Sequence, residues 1–129
     1  MNEHEAAFVQ SFIVPRKRAR YLELLSSPKR RRKILERLNH SLDLDWDFAT
    51  PDDSATPEML EASLKKKGAR ASCYIVAACT PLDGAILPLT KGVEVAFLHP
   101  FGIVLSCIPG KLAYYKPESP ESGAVLCKC

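Results

Sequence analysis

The stretch CYIVAACTPLDGAILPLTKGVEVAFLHPFGIVLSCIPGKLAYYK, residues 73–116, decides the fold. Its opening run, Cys73 to Thr80, is apolar on both alternating faces, which marks a strand buried on both sides. Pro81-Leu82-Asp83-Gly84 is a turn signal, and Ala85 to Leu89 reads as the return strand. Thr90 to Leu98 reads as a short helix, although Gly92, Val93 and Val95 are weak helix formers. Gly102 to Ile108 is a second strongly apolar strand; Pro109-Gly110 breaks it, and Lys111 to Lys116 returns through Leu112, Tyr114 and Tyr115. Hairpin, helix, hairpin predicts a small, mostly antiparallel sheet with helices on one side. With the N-terminal helices packed on that sheet, the fold class is α+β.

Working toward the N-terminus, Pro15 can open a helix, because its missing N–H is unpaired at that position in any case. Arg16 to Leu25 then sets Ala19, Tyr21, Leu22 and Leu25 at spacings of three and four, an amphipathic pattern. Ser26-Ser27-Pro28 interrupts it. Ser27 as cap and Pro28 at the first position restart a helix to about Asn39, with Ile34, Leu35 and Leu38 as its apolar stripe. A third helix is capped by Thr56, opened by Pro57 and stopped by Gly68, with Met59, Leu60 and Leu64 apolar. Its last turn carries Lys65–Lys67, where positive charge complements the helix dipole. Ser41 to Ala55 reads as a loop, Pro117 to Gly123 as a flexible loop, and Ala124 to Cys129 as a frayed tail or an edge strand. The expected organisation is one domain over residues 1–129. It comprises an N-terminal segment (1–14), a charged helical half (15–68), the sheet (69–116) and a tail (117–129).

With 129 residues, 47% hydrophobic and 26% charged, the composition is that of a globular domain and excludes collagen-like, wholly disordered and coiled-coil-only chains. A chain of this length buries roughly two-thirds of its unfolded surface, so it needs no staples. Five cysteines, an odd number, therefore argue against a secreted disulfide scaffold, although spacing alone leaves a disulfide open. The first twenty residues contain Glu3, Glu5 and a basic run from Arg16, with no leader-like apolar region. The longest apolar run, Cys73 to Cys79, falls far short of the ~20 residues that span a bilayer. A cytoplasmic protein with reduced thiols and no membrane partner is the expectation.

The net charge of +3 conceals a strong segregation. Residues 15–40 carry ten bases and two acids, a net of +8; residues 41–62 carry seven acids and no base, a net of −7. The C-terminal half, from residue 71, is balanced at four of each. Such asymmetry points either to polyanion binding or to internal pairing of the two blocks.

The basic block holds the candidate binding residues Arg16, Lys17, Arg20, Lys29, Arg31, Arg32 and Arg37. If the two helices bury their leucines, the remaining faces turn outward and are mostly cationic. Helix-turn-helix recognition is poorly matched, since the Ser-Ser-Pro junction lacks the usual glycine and no third helix is expected before it. Tyr21 is the sole aromatic residue of the block, too little for stacking single-stranded bases.

Asp43, Asp45 and Asp47 open like a calcium loop, but Phe48 stands where the sharp turn needs glycine and Ser54 where a bidentate Glu is required. Leu44, Trp46 and Phe48 suit a loop pinned to the core instead. Cys73 and Cys79 are too far apart along a strand to share one ion, and Cys127-Lys128-Cys129 lacks a second pair. No metal or cofactor is expected. Cys107 as nucleophile, or Ser106, with His99 as base and Asp83 as orienting acid, is the best catalytic assembly on offer. No nucleophile elbow, phosphate loop or zinc-protease motif supports it, so a non-enzymatic protein is the reading that the residues favour. The expected function is that of a small binding protein whose cationic helices meet an acidic protein surface or a second copy of the chain. Nucleic-acid binding through the same helices is the second reading, and a Cys-dependent enzyme the third.

Overall fold

The structure, a computed structural model, describes residues 2–118 and 122–128. Five α-helices and six strands are formed among them: α1 (Glu3–Phe12), α2 (Arg18–Leu25), α3 (Arg31–Arg37), β1 (Ala49–Pro51), α4 (Pro57–Lys66), β2 (Ser72–Ala77), β3 (Ile86–Pro88), α5 (Leu89–Leu98), β4 (Ile103–Ile108), β5 (Leu112–Lys116) and β6 (Ala124–Cys127). The strands make one sheet in the order β1-β6-β5-β4-β2-β3, every neighbour antiparallel. The fold is α+β, and the hairpins β2–β3 and β4–β5 flank α5 as the sequence predicts.

The helices cover both faces of the sheet, not one. Residues Tyr74, Val76, Val104, Ala113, Tyr115 and Leu126 pack with Phe8, Phe12, Leu24 and Ile34 of α1–α3. Their alternate neighbours Cys73, Ile75, Leu105, Cys107, Leu112 and Tyr114 pack with Leu60 and Leu64 of α4 and Val93 and Ala96 of α5. Strands alternate their side chains between faces, so a strand that is apolar throughout requires a cover on each side. Helices α4 and α5 supply the second.

The helix limits follow their local chemistry. Asn2, whose side chain accepts from the His4 N–H, caps α1, and Glu3 and Glu5 sit favourably in its first turn. Thr56 accepts from the Met59 N–H to cap α4, and Gly68, at φ 101°, ends it. The Ala69 N–H reaches Leu64 and the Gly68 N–H reaches Lys65, which satisfies two terminal carbonyls and requires the left-handed backbone glycine tolerates. Helix α2 is preceded by a 3-10 turn at Pro15–Lys17. Before α3, Pro28–Arg30 forms a turn whose entry is closed by the Ser27 carbonyl, not its hydroxyl, so the regular helix starts at Arg31.

Three elements depart from the sequence expectation. Residues 3–12, expected only as an N-terminal segment, are helix α1. Ala49–Pro51, expected as loop, is an edge strand, while β6 lies inside the sheet between β5 and β1. Of the expected C-terminal loop and tail, residues 119–121 and Cys129 lie outside the described residues.

Candidate functional site

The fold disposes of the ten bases of residues 15–40 in three ways. Arg31 is consumed internally. Its Nη1 and Nη2 donate to Glu5 at 2.8 and 2.6 Å, while Nε and Nη2 donate to Asp83 at 2.7 and 3.0 Å. Glu5 is only 4% exposed and also accepts from the Tyr74 hydroxyl; Asp83 also accepts from the Ala77 N–H. This cluster fastens α3 to α1 and to the β2–β3 turn. Arg31, expected on the outward cationic surface, is therefore a structural residue.

Arg37 is half consumed. It donates bidentately to the buried Asp43, Nε to Oδ2 at 2.7 Å and Nη2 to Oδ1 at 3.1 Å, and Tyr21 donates to the same carboxylate at 2.6 Å. Arg37's hydrogen bonds hold the Asp43 carboxyl below the usual carboxylate range against its burial, with Tyr21 assisting. Burial, and then Asp43, push the Tyr21 phenol up. Arg30 and Arg32 pair with Glu23 and Glu36 of their own block at the surface, contacts worth little. Arg18 donates to the Ile13 carbonyl.

The rest remain outward. Arg16, Lys17, Arg20, Lys29 and Lys33 form no ion pair among the described residues, and all but the half-buried Lys17 are exposed. Of these, Lys17, Arg20 and Lys33, together with Arg37 and His40, line one cleft between α2 and α3 of about 330 Å³. Tyr21, Leu24 and Ile34 form its floor, and Glu36 is its one acidic lining residue. The cleft exists because α2 and α3 turn their apolar residues down onto the sheet and their long basic side chains rise from the facing flanks. The aliphatic stems of such side chains also extend the apolar walls.

The acidic block does not fill this cleft. Arg37–Asp43 is the one ion pair between residues 15–40 and 41–62 among the described residues. Asp45 binds the Asp47 N–H, Asp52 binds Ser54, and Glu61 pairs with Lys65 on α4. Trp46, expected to pin the loop, is 47% exposed, whereas Leu44 is buried and bridged to Ile13. Asp43 faces Arg37 and Tyr21, away from a shared ion site with its neighbours. No group of three or more His, Cys, Asp or Glu converges for a metal among the described residues, nor is any helix among them long and apolar enough to cross a membrane.

The catalytic candidates are placed apart. Cys107 sits at a β-bulge in β4, buried against the α4–α5 side, with its thiol donating to the Leu105 carbonyl and pushed up to about 12 by burial. His99, at the end of α5, bonds through Nε2 to the Ala78 carbonyl, and burial lowers its pKa. Neither side chain hydrogen-bonds the other, and Asp83 is held by Arg31. Ser106 does meet an imidazole, that of His4 at 2.7 Å, with His4 stacked on Tyr74. Ser106 is itself buried. The α2–α3 cleft is the surface that gathers the most candidates. Comparison with family models, curated proteins and solved structures found no match.

Proposed function

We propose that this chain is a non-enzymatic binding protein and that its α2–α3 cleft docks an acidic protein surface. The carrying observation is the incomplete neutralisation of the two charge blocks. The fold leaves Lys17, Arg20 and Lys33 converging on one cleft whose one acidic lining residue is Glu36, while among the described residues a single acid of the 41–62 block, Asp43, pairs with a base of the 15–40 block, Arg37. Maintaining like charges side by side costs stability through repulsion, and a docked polyanion relieves it. The apolar floor under a cationic rim suits an acidic segment that also carries an apolar side chain. A uniform phosphate backbone would use only the rim.

The test is equilibrium binding of a fluorescent acidic peptide containing one aromatic residue, set against a duplex DNA of equal charge. Wild type binds the peptide, and Arg20→Glu/Lys33→Glu loses that binding while keeping its fold by circular dichroism. No peptide binding at about 50 mM salt, where exposed charges are weakly screened, overturns the proposal. Tighter binding of the duplex, with a roughly 500-fold loss on a fourfold rise in salt if five phosphates are contacted, would replace it with nucleic-acid binding.

A further inference from the structure

We infer that the acidic surface docked by the cleft is the 42–47 segment of a second copy of this chain; this rests on the docking role just proposed and names its partner. The segment has the required chemistry. Leu42 is 73% exposed and Trp46 is 47% exposed, large apolar side chains set among the acids Asp45 and Asp47. Asp47 is exposed and Asp45 is half-buried with its carboxylate on the Asp47 N–H, and neither forms an ion pair with a described residue, so no cation of the same copy neutralises them.

The segment cannot serve its own cleft. Asp43 is fastened to Tyr21 and Arg37, and Leu44 is bridged to Ile13, so the chain is moored along the cleft's margin. From there Leu42 begins only two residues beyond His40, itself a lining residue of the cleft. One patch thus holds a cationic receptor and, beside it, an acidic and apolar counterpart.

That juxtaposition is what a two-fold interface demands, where residue i of one copy meets residue j of the other and the reverse contact follows by symmetry. A rotation about an axis between receptor and counterpart places Leu42 and Trp46 of each copy toward the cleft of the other. Asp45 and Asp47 then oppose Lys17, Arg20 and Lys33. The opposed charges set register and rate, and the apolar side chains supply the buried area.

The experiment is sedimentation of the full chain over a concentration series at low and high salt, with two charge-reversed variants. Wild type forms a reversible dimer whose dissociation constant weakens about tenfold or more between about 50 and 500 mM salt. Arg20→Glu/Lys33→Glu and Asp45→Lys/Asp47→Lys are each monomeric alone. Their equimolar mixture dimerises, because the reversed positions 20 and 33 of one variant meet the reversed positions 45 and 47 of the other with opposite charge, outweighing the unchanged Lys17, and the second contact of the pair is that of wild type. A wild type that stays monomeric at about 1 mM and low salt overturns the inference. So does a mixture that fails to pair while both variants are folded. A monomeric wild type that still binds the acidic peptide overturns self-pairing and leaves the docking role standing; loss of both overturns both.

Discussion

Replacing Asp43 with Asn separates charge from shape at the point where the two charge blocks meet. The amide keeps the volume of the carboxylate, but it cannot accept from Tyr21 and from both Arg37 nitrogens at once. The Tyr21 hydroxyl bond, at 2.6 Å to a buried charged acceptor, contributes about 1.5–3 kcal/mol. The Arg37 pair is discounted to about 0.5–1 kcal/mol, because that side chain is 45% exposed and water can solvate it. Asp43→Asn therefore costs about 2–4 kcal/mol, which at about 0.27 kcal/mol per kelvin for a chain of this length lowers Tm by about 7–15 °C. The loss is pH-dependent with a definite sign. The folded carboxyl is held below its ordinary value, so its contribution is complete above an unfolded pKa of about 3.9 and is lost as pH falls through the folded value. The stability gap between wild type and variant is accordingly full at neutral pH and narrows below about pH 4. Tyr21→Phe alone removes part of the same bond, so the double variant is less destabilised than the two single effects summed. Thermal melts by circular dichroism at neutral and acid pH read all of this. A loss below about 0.5 kcal/mol at neutral pH, the range of ordinary surface substitutions, would refute the reasoning.

Two other outcomes follow from the same physics. Arg31→Met leaves Glu5 buried without its counterion and costs about 3–5 kcal/mol, read as a lowered urea midpoint; a shift worth less than about 1 kcal/mol would show that the cluster does not join α1, α3 and the β2–β3 turn. Iodoacetamide at mildly alkaline pH modifies the exposed Cys79 promptly and leaves Cys73 and Cys107 intact until the protein unfolds, since burial pushes their thiols up to about 11 and about 12. Peptide mapping by mass spectrometry that finds Cys107 labelled as fast as Cys79 would contradict its packing.

The central strands were legible because Cys73–Thr80 and Gly102–Ile108 are long apolar runs bounded by turn residues. The same runs already implied cover on both faces, an implication that the hairpin pattern alone obscured. Helix α1 also had its signal: Asn2 as cap, acids in the first turn, and Phe8, Val9 and Phe12 at helical spacing. Strand β1 had none, for three residues become a strand only through pairing with β6, far along the chain. The cleft was half legible. Its charges lie in the sequence, but nothing local distinguishes Arg31 from Arg32. One meets Glu5, 26 residues earlier, and Asp83, 52 residues later; the other stays at the surface beside Glu36. Long-range placement, not composition, decides which cations remain available.

The position of β6 has a consequence for the order in which the molecule assembles. Strand β1 hydrogen-bonds to β6 and to no other strand, although Pro51 and Ala124, its paired end, are separated by the whole of α4, α5 and four strands. Closing a loop that long costs more chain entropy than closing the short β4–β5 turn, by roughly (3/2)RT times the logarithm of the length ratio. The hairpins and α5 can form first, with β6 adding to the β5 edge and β1 joining last. In native-state hydrogen exchange, the amides at Thr50 and Val125, which face each other across the β1–β6 pair, should then open well below the energy of global unfolding, while those of β2 and β4 hold to the end.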